Sequence, residues 1–336
     1  MDWYTGIESV PDILLLFMLE GQVVMGTIAQ VVEDFFFHCR YEKNLSIKTL
    51  KAYKTDLSQF IDFYSKISCS DKIKDIDKDI IKQYIKNLSD KNKPKTIKRK
   101  IATLKAFFNH LEFEDDILTN PFHKIKIKIN GGKQLPRIIE ISIIKKIFKH
   151  IYSQKEKLKG INGQKYIVTI RDIAIIELLF STGLRVSELC NLNEKDIEIN
   201  KGTLFILGKG NKERIVPICA PEVKAALKEY YQLFCNKIAI HGYFFINQWD
   251  SRLSEQSVRF MIRKYVRELK IEQNITPHMF RHTIATLLLE GDVDIRYIQN
   301  LLGHSTISTT EIYTHVNHKA QRRILTKKHP RKNIFI

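Results

Sequence analysis

The chain has 336 residues, 44% of them hydrophobic, and no long low-complexity tract, so it is globular and its length favours two domains. Its 55 Lys and Arg against 37 Asp and Glu give a formal charge of +18, which points to a polyanionic partner, nucleic acid ahead of an anionic membrane surface. Five dispersed cysteines, Cys39, Cys69, Cys190, Cys219 and Cys235, form no CxxC and join no paired-histidine cluster, as suits a reduced cytoplasmic protein without a metal.

In chain order, residues 1–26 are an extension that is apolar from Ile13 to Val24. Asp2, Glu8 and Asp12 precede the apolar run and the first basic residue is Arg40, so the positive start of a secretory signal is missing. A membrane span over 11–32 would bury Glu20, Gln22 and Gln30. A partner-packing helix, or an over-extended start with Met25 as the true first residue, fits better.

Residues 27–122 read as a helical bundle of about four helices. Ile47, Leu50, Tyr53, Leu57, Phe60, Ile61 and Tyr64 form one stripe, Ile80, Ile81, Tyr84, Ile85 and Leu88 a second, and Ile97, Ile101, Leu104, Phe107, Phe108 and Leu111 a third. Around the third stripe Lys91, Lys93, Lys95, Lys98, Arg99, Lys100 and Lys105 run without an acid until Glu112, a pattern suited to phosphate contact as well as to a solvated basic face. Residues 123–137 follow with Lys124, Lys126, Lys128, Lys133 and Arg137 around Gly131-Gly132 and Pro136, a basic linker able to follow a duplex or serve as a plain spacer.

From 138 to 336 helices dominate again. Thr203–Leu207 and Arg214–Ile218 read as a hairpin with Lys209 at its tip, and Tyr243–Ile246 as a third strand of the same small sheet. The excess charge belongs here: 33 basic and 19 acidic residues follow position 136, against 22 and 18 before it.

Four segments of this second part carry chemistry. Arg185 follows Ser181-Thr182-Gly183 at the end of the apolar run Ile173–Phe180, and a guanidinium there can hold two phosphate oxygens at any working pH. Glu188 either orients Arg185 or forms an ordinary helix ion pair with it. Thr276 and Pro277 open a helix that Gly291 closes, placing His278 and Arg281 on one face. Gly303-His304 leads to Tyr313, whose phenol can attack phosphorus once a base such as His278 takes its proton. Lys209, with Lys212 as its rival, can protonate the leaving oxygen, while Arg185, Arg281 and His304 stabilise the charge that develops on phosphorus. Together these residues read as DNA strand cutting and rejoining through Tyr313.

The segments Gly183-Leu184-Arg185-Val186-Ser187-Glu188-Leu189, Gly208-Lys209-Gly210-Asn211-Lys212-Glu213-Arg214, His278-Met279-Phe280-Arg281, Gly303-His304 and Ser308-Thr309-Thr310-Glu311-Ile312-Tyr313-Thr314-His315 resemble the tyrosine recombinase family, and its Xer-type members most, over residues 27 to about 325. The resemblance implies catalytic roles for Arg185, Lys209, His278, Arg281, His304 and Tyr313. It implies a mostly α fold with a small β-sheet, in which a core-binding domain and a catalytic domain clamp double-stranded DNA in a C shape. It also implies inverted-repeat sites, a 3′-phosphotyrosine and a Holliday junction formed by four protomers, alike or of two related kinds, without ATP or metal. A DNA translocase partner, a mobile-element role, a catalytically silent architectural role and a type IB topoisomerase stay open as alternatives. In relatives a terminal helix docks on the neighbouring protomer, so the basic tail ending in Ile334-Phe335-Ile336 is expected to insert into a second copy.

Overall fold

Proline, serine and aspartate at the predicted helix starts explain where the N-terminal helices begin. The computed structural model describes residues 27–68, 70–130, 137–161, 163–208, 213–303, 326, 328 and 330–333, and the chain divides into two compact units between Gln134 and Leu135. In the first unit, α1 (Ile28–Phe37) runs into a π-turn at His38–Glu42, followed by α2 (Ile47–Ile67), α3 (Lys78–Lys91) and α4 (Pro94–Phe113). Ser46 accepts a bond from the Thr49 N–H at the start of α2, and Asp77 accepts from Asp79 and Ile80 at the start of α3. Pro94 occupies the first turn of α4, where its missing N–H costs nothing.

All six residues of the third apolar stripe are buried on α4, and Leu57, Phe60 and Tyr64 of α2 with Ile81, Tyr84 and Leu88 of α3 complete this core. Ile47 departs from the pattern: it is exposed in the first turn of α2. The segment expected to begin a linker belongs to this unit as far as residue 130. Ile125, Ile127 and Ile129 pack against the first core, while Lys124, Lys126 and Lys128 alternate with them and face solvent.

The second unit contains α5 (Ile141–Leu158), α6 (Gly163–Thr182), α7 (Val186–Cys190), β1 (Ile197–Glu198), β2 (Thr203–Leu207), β3 (Glu213–Pro217), α8 (Pro221–His241), α9 (Glu255–Glu268), α10 (Pro277–Glu290) and α11 (Ile295–Leu302). Helix α6 is buried on all sides from Ile173 to Thr182 because α5, α8 and α10 pack around it. The sheet is antiparallel in the order β1-β2-β3, with Leu204 opposite Val216 and Ile206 opposite Arg214.

The expected third strand, Tyr243–Ile246, is not part of this sheet; β1 takes that place. Phe244, Phe245 and Ile246 are completely buried, and their backbone is satisfied one bond at a time. Leu192 accepts from Phe244 N at 2.7 Å, and the Tyr230 hydroxyl donates to the Phe244 carbonyl while accepting from Ile246 N at 3.0 Å. An apolar tetrapeptide enters the core equally well as a strand or as a side-chain-braced segment, and here Tyr230 decides for the second.

The expected insertion of the apolar end into a second copy concerns Ile334-Phe335-Ile336, and the turn before them is described. A 3-10 turn at Pro330–Asn333 lies on α6 and α10 of its own chain. Arg331 is buried there, with Nε and Nη2 donating to Glu177 Oε2 and Oε1 at 2.9 and 2.7 Å and the guanidinium 4.8 Å from the Phe148 ring centre. Ile334–Ile336 lie outside the described residues, as do residues 1–26 and the Gly131-Gly132 pair.

Candidate active site

Helix α6 ends at Thr182, and Gly183 turns the chain with φ +61. A Cβ there would stand 2.6 Å from Leu302 and 2.8 Å from Ile284, so glycine is needed for space as well as for backbone angle. The turn delivers Arg185 to the cap position of α7, where Glu188 accepts from the Arg185 backbone N–H at 2.9 Å and from its Nη1 at 2.7 Å. A buried helix thus presents one guanidinium at its exit, braced through both backbone and side chain.

The end of α11 receives three arginines. Its last carbonyls lack partners within the helix and carry the negative end of the helix dipole. The Leu301 carbonyl accepts from Arg214 Nε at 3.1 Å, Leu302 from Arg281 Nη2 at 2.5 Å and Gly303 from Arg185 Nη2 at 3.0 Å. Arg281 also donates from Nη1 to the Gly183 carbonyl at 2.8 Å, tying the turn that carries Arg185 to the helix that leads to His304. Gly303 has φ +65, and a Cβ on it would stand 3.0 Å from Arg214 Nη1.

Among the described residues, Glu188 alone makes ion pairs with this cluster, to Arg185 and Arg214, each at 2.7 Å. Three guanidinium charges against one carboxylate leave a net positive cluster suited to an anion. Burial works to raise the Glu188 carboxyl, but the bonds and charge of Arg214, then those of Arg185, outweigh it and hold the group below its ordinary value. Burial first, then Arg185, pushes Arg281 down to about 10, still charged at neutrality. Burial and the charges of His282, Arg281, Arg185 and Arg259 lower the His278 imidazole, keeping it neutral and able to accept a proton.

Of the expected site residues, Arg185, His278 and Arg281 are described and stand on elements that meet here; Lys209, His304 and Tyr313 lie outside the described residues. Thr276 occupies the cap position of α10, but its side chain makes no capping bond there, and Gly291 ends the helix at φ −84, using none of its special freedom. Glu188 is more than an ordinary helix pair, because it holds two arginines. In the sequence Arg214 closes the hairpin motif that carries part of the family resemblance, but nothing there names its partners or assigns it a role.

The basic helix is also corrected at one position. Lys91, Lys93, Lys95, Lys98 and Arg99 are exposed on the first unit, whereas Lys100 is buried and donates to Asp56 Oδ1 at 2.9 Å. Arg99 pairs with the same carboxylate, and the Thr103 hydroxyl donates to it at 3.0 Å. The pair Lys95→Ala and Lys98→Ala should flatten the dependence of log Kobs for DNA on log salt by about 0.9 for each phosphate left without its cation. Lys100→Met should leave that slope alone and lower the melting temperature instead. Equal slopes in all three variants would show that this face does not meet DNA.

Comparison with known proteins bears on the whole chain. The model of the phage integrase family matches residues 154–320, and that of the phage integrase N-terminal SAM-like domain matches 32–115. A tyrosine recombinase of Agathobacter rectalis is 48% identical over 92% of this chain and 99% of its own. The chain belongs to the phage integrase family. It is a tyrosine recombinase, an enzyme of site-specific recombination. A tyrosine recombinase XerC of Thermodesulfovibrio yellowstonii is 37% identical over 89% of this chain and 96% of its own.

The crystal structure of the XerH site-specific recombinase bound to palindromic difH substrate, a post-cleavage complex, matches this tyrosine recombinase with a TM-score of 0.63 and 21% identity over 88% of this chain and 81% of that one. A lambda integrase(75-356) dimer bound to a COC′ core site matches with a TM-score of 0.62 and 18% identity over 85% and 99%. These two likenesses establish the fold, mostly α with a small antiparallel sheet. No helix of the tyrosine recombinase, among the described residues, is long and apolar enough to cross a membrane.

Proposed function

We propose that this recombinase cleaves and rejoins DNA through Tyr313, in an Xer-type role. The observation that carries the proposal is the convergence of Arg185, Arg214 and Arg281 on the last carbonyls of α11 with a single carboxylate among them. A pocket short of negative charge and built on packed helices is ready for a phosphodiester before the substrate arrives. In the proposed step the Tyr313 oxygen bonds to phosphorus as the bond to the 5′-oxygen breaks, and His278 takes the phenolic proton. Lys209, with Lys212 as the alternative on the same turn, protonates the leaving 5′-oxygen, which departs as a free hydroxyl. Arg185, Arg281 and His304 stabilise the equatorial oxygens, and the 3′-phosphotyrosine conserves the bond for attack by the exchanged strand.

The likeness to relatives named XerC supports the Xer-type assignment. In this reading four copies, or two copies each of this and a related recombinase, join two inverted-repeat sites through a Holliday junction in the cytoplasm. The first unit, up to residue 130, serves core binding, and 138–336 serve catalysis. Lys91, Lys93, Lys95, Lys98, Arg99, Lys124, Lys126 and Lys128 would meet phosphates.

A nicked suicide substrate tests the chemistry. The unsubstituted protein should accumulate a covalent DNA complex, and Tyr313→Phe none. A covalent complex persisting in Tyr313→Phe would move the nucleophile elsewhere, and supercoil relaxation without junctions between two sites would replace strand exchange with topoisomerase action.

A further inference from the structure

We infer that Arg214, at the base of the β2–β3 hairpin, is a positioning residue that holds Glu188 and, through it, aims Arg185 at the scissile phosphate. The inference rests on the reading of Arg185 as a phosphate ligand. Arg214 is largely buried and spends its whole fork on two elements. Nη1 and Nη2 donate to Glu188 Oε1 and Oε2 at 3.0 and 2.7 Å, and Nε donates to the Leu301 carbonyl at 3.1 Å. Arg185 shares the same Glu188 Oε1, at 2.7 Å. Glu188 is 7% exposed, so its two oxygens are placed by these arginines rather than by water.

The arrangement separates the two arginines by task. Arg214 is 12% exposed and Arg185 33%, both measured on the side chain, so the inner one is braced and the outer one opens to a ligand. Lysine could keep the charge beside Glu188 but not all three bonds, because three acceptors on two elements need a planar fork of fixed geometry. The same residue joins three pieces of the site. It stands on β3, two residues beyond the hairpin tip that carries Lys209 in sequence, it clamps the carboxylate of α7, and it grips the end of α11 just before His304. The close fit of Gly303 against the Arg214 guanidinium follows from that packing.

Glu188 also supplies a signature. It faces Arg185 and Arg214 directly and interacts with the charge of Arg281, and of these Arg214 contributes most to keeping it ionised. With Arg214 removed, burial is opposed mainly by Arg185, and the carboxyl pKa rises. Arg214→Leu should then bind the DNA site with unchanged affinity but form the covalent complex about 10- to 100-fold more slowly, as a misplacement near 1 Å does. Its cleavage should fall further as pH drops, because protonated Glu188 no longer anchors Arg185, a loss added to the acid limb that protonation of His278 gives the unsubstituted protein as well. Arg214→Lys should restore the profile and part of the rate.

In the Glu188→Gln background, adding Arg214→Leu should cost much less than it does alone, since the shared target is already gone. Additive losses, or an Arg214→Leu profile parallel to that of the unsubstituted protein, would overturn the inference. If Arg214→Leu fails to fold, the profile of Arg214→Lys and its coupling to Glu188→Gln decide. Arg185→Ala separates the two readings: normal cleavage in it removes the site assignment itself, whereas loss there with full activity in Arg214→Leu removes only the role of Arg214.

Discussion

Replacing Arg281 with alanine should lower the rate of covalent-complex formation by about 10²- to 10³-fold, the range for removing one preset donor from a charged transition state. Two losses contribute. The guanidinium that the proposed step sets against the phosphate disappears, and the Gly183 and Leu302 carbonyls it joins lose their common partner. The turn carrying Arg185 and the end of α11 then hold their spacing less firmly. Arg281→Lys keeps a charge but cannot bridge both carbonyls, so it should stay within about tenfold of the alanine variant. Single-turnover cleavage of a nicked site, read beside DNA affinity, checks this. Cleavage within a few-fold of the unsubstituted protein would remove Arg281 from the chemistry.

Arg331→Ala should destabilise the second unit by about 3–5 kcal/mol, because it strands a carboxylate in the core. Glu177 is 0% exposed and its ion pair with Arg331, itself 1% exposed, spans 154 positions of sequence. The Tyr152 hydroxyl donates to Glu177 at 2.8 Å, and burial together with that carboxylate pushes the phenol well above its ordinary pKa, so it stays a neutral donor that cannot replace the lost cation. The melting temperature should fall by on the order of 10 °C. The double variant Glu177→Gln with Arg331→Met, which removes both charges, should recover much of that loss. An Arg331→Ala protein as stable as its parent would mean that the tail leaves this position in solution. Deletion of 330–336 should therefore cost stability, and any recombination defect it causes should be read against melting temperature.

Some of what the sequence reading missed was present in the chain as a pattern. Lys100 lies three residues after Ile97 and four before Leu104, on the apolar face of α4, and Asp56 stands in the same way between Tyr53 and Phe60 on α2. Two opposite charges on two buried faces are a pair awaiting each other. The alternation of Ile125, Ile127 and Ile129 with three lysines was likewise visible as a period of two, though its basic side chains suggested a linker first. No such cue existed for Arg331, which looks like any surface arginine until Glu177 stands beside it. Arg214 stood out as the end of a motif, but its partners Glu188 and the Leu301 carbonyl did not.

By itself the sequence determined the helical nature of both units, the β2–β3 hairpin and the bulk of both apolar cores, and it proposed the set of phosphate-handling side chains. These depend on local spacing and on chemistry that a residue carries wherever it sits. Only the tertiary structure decided that three arginines share the end of α11, that Lys100 turns inward, that Tyr243–Ile246 leaves the sheet and that Arg331 seals Glu177. Each of those outcomes satisfies a buried polar group with a partner remote in the chain, and such partners are chosen by how helices pack rather than by any neighbour in sequence.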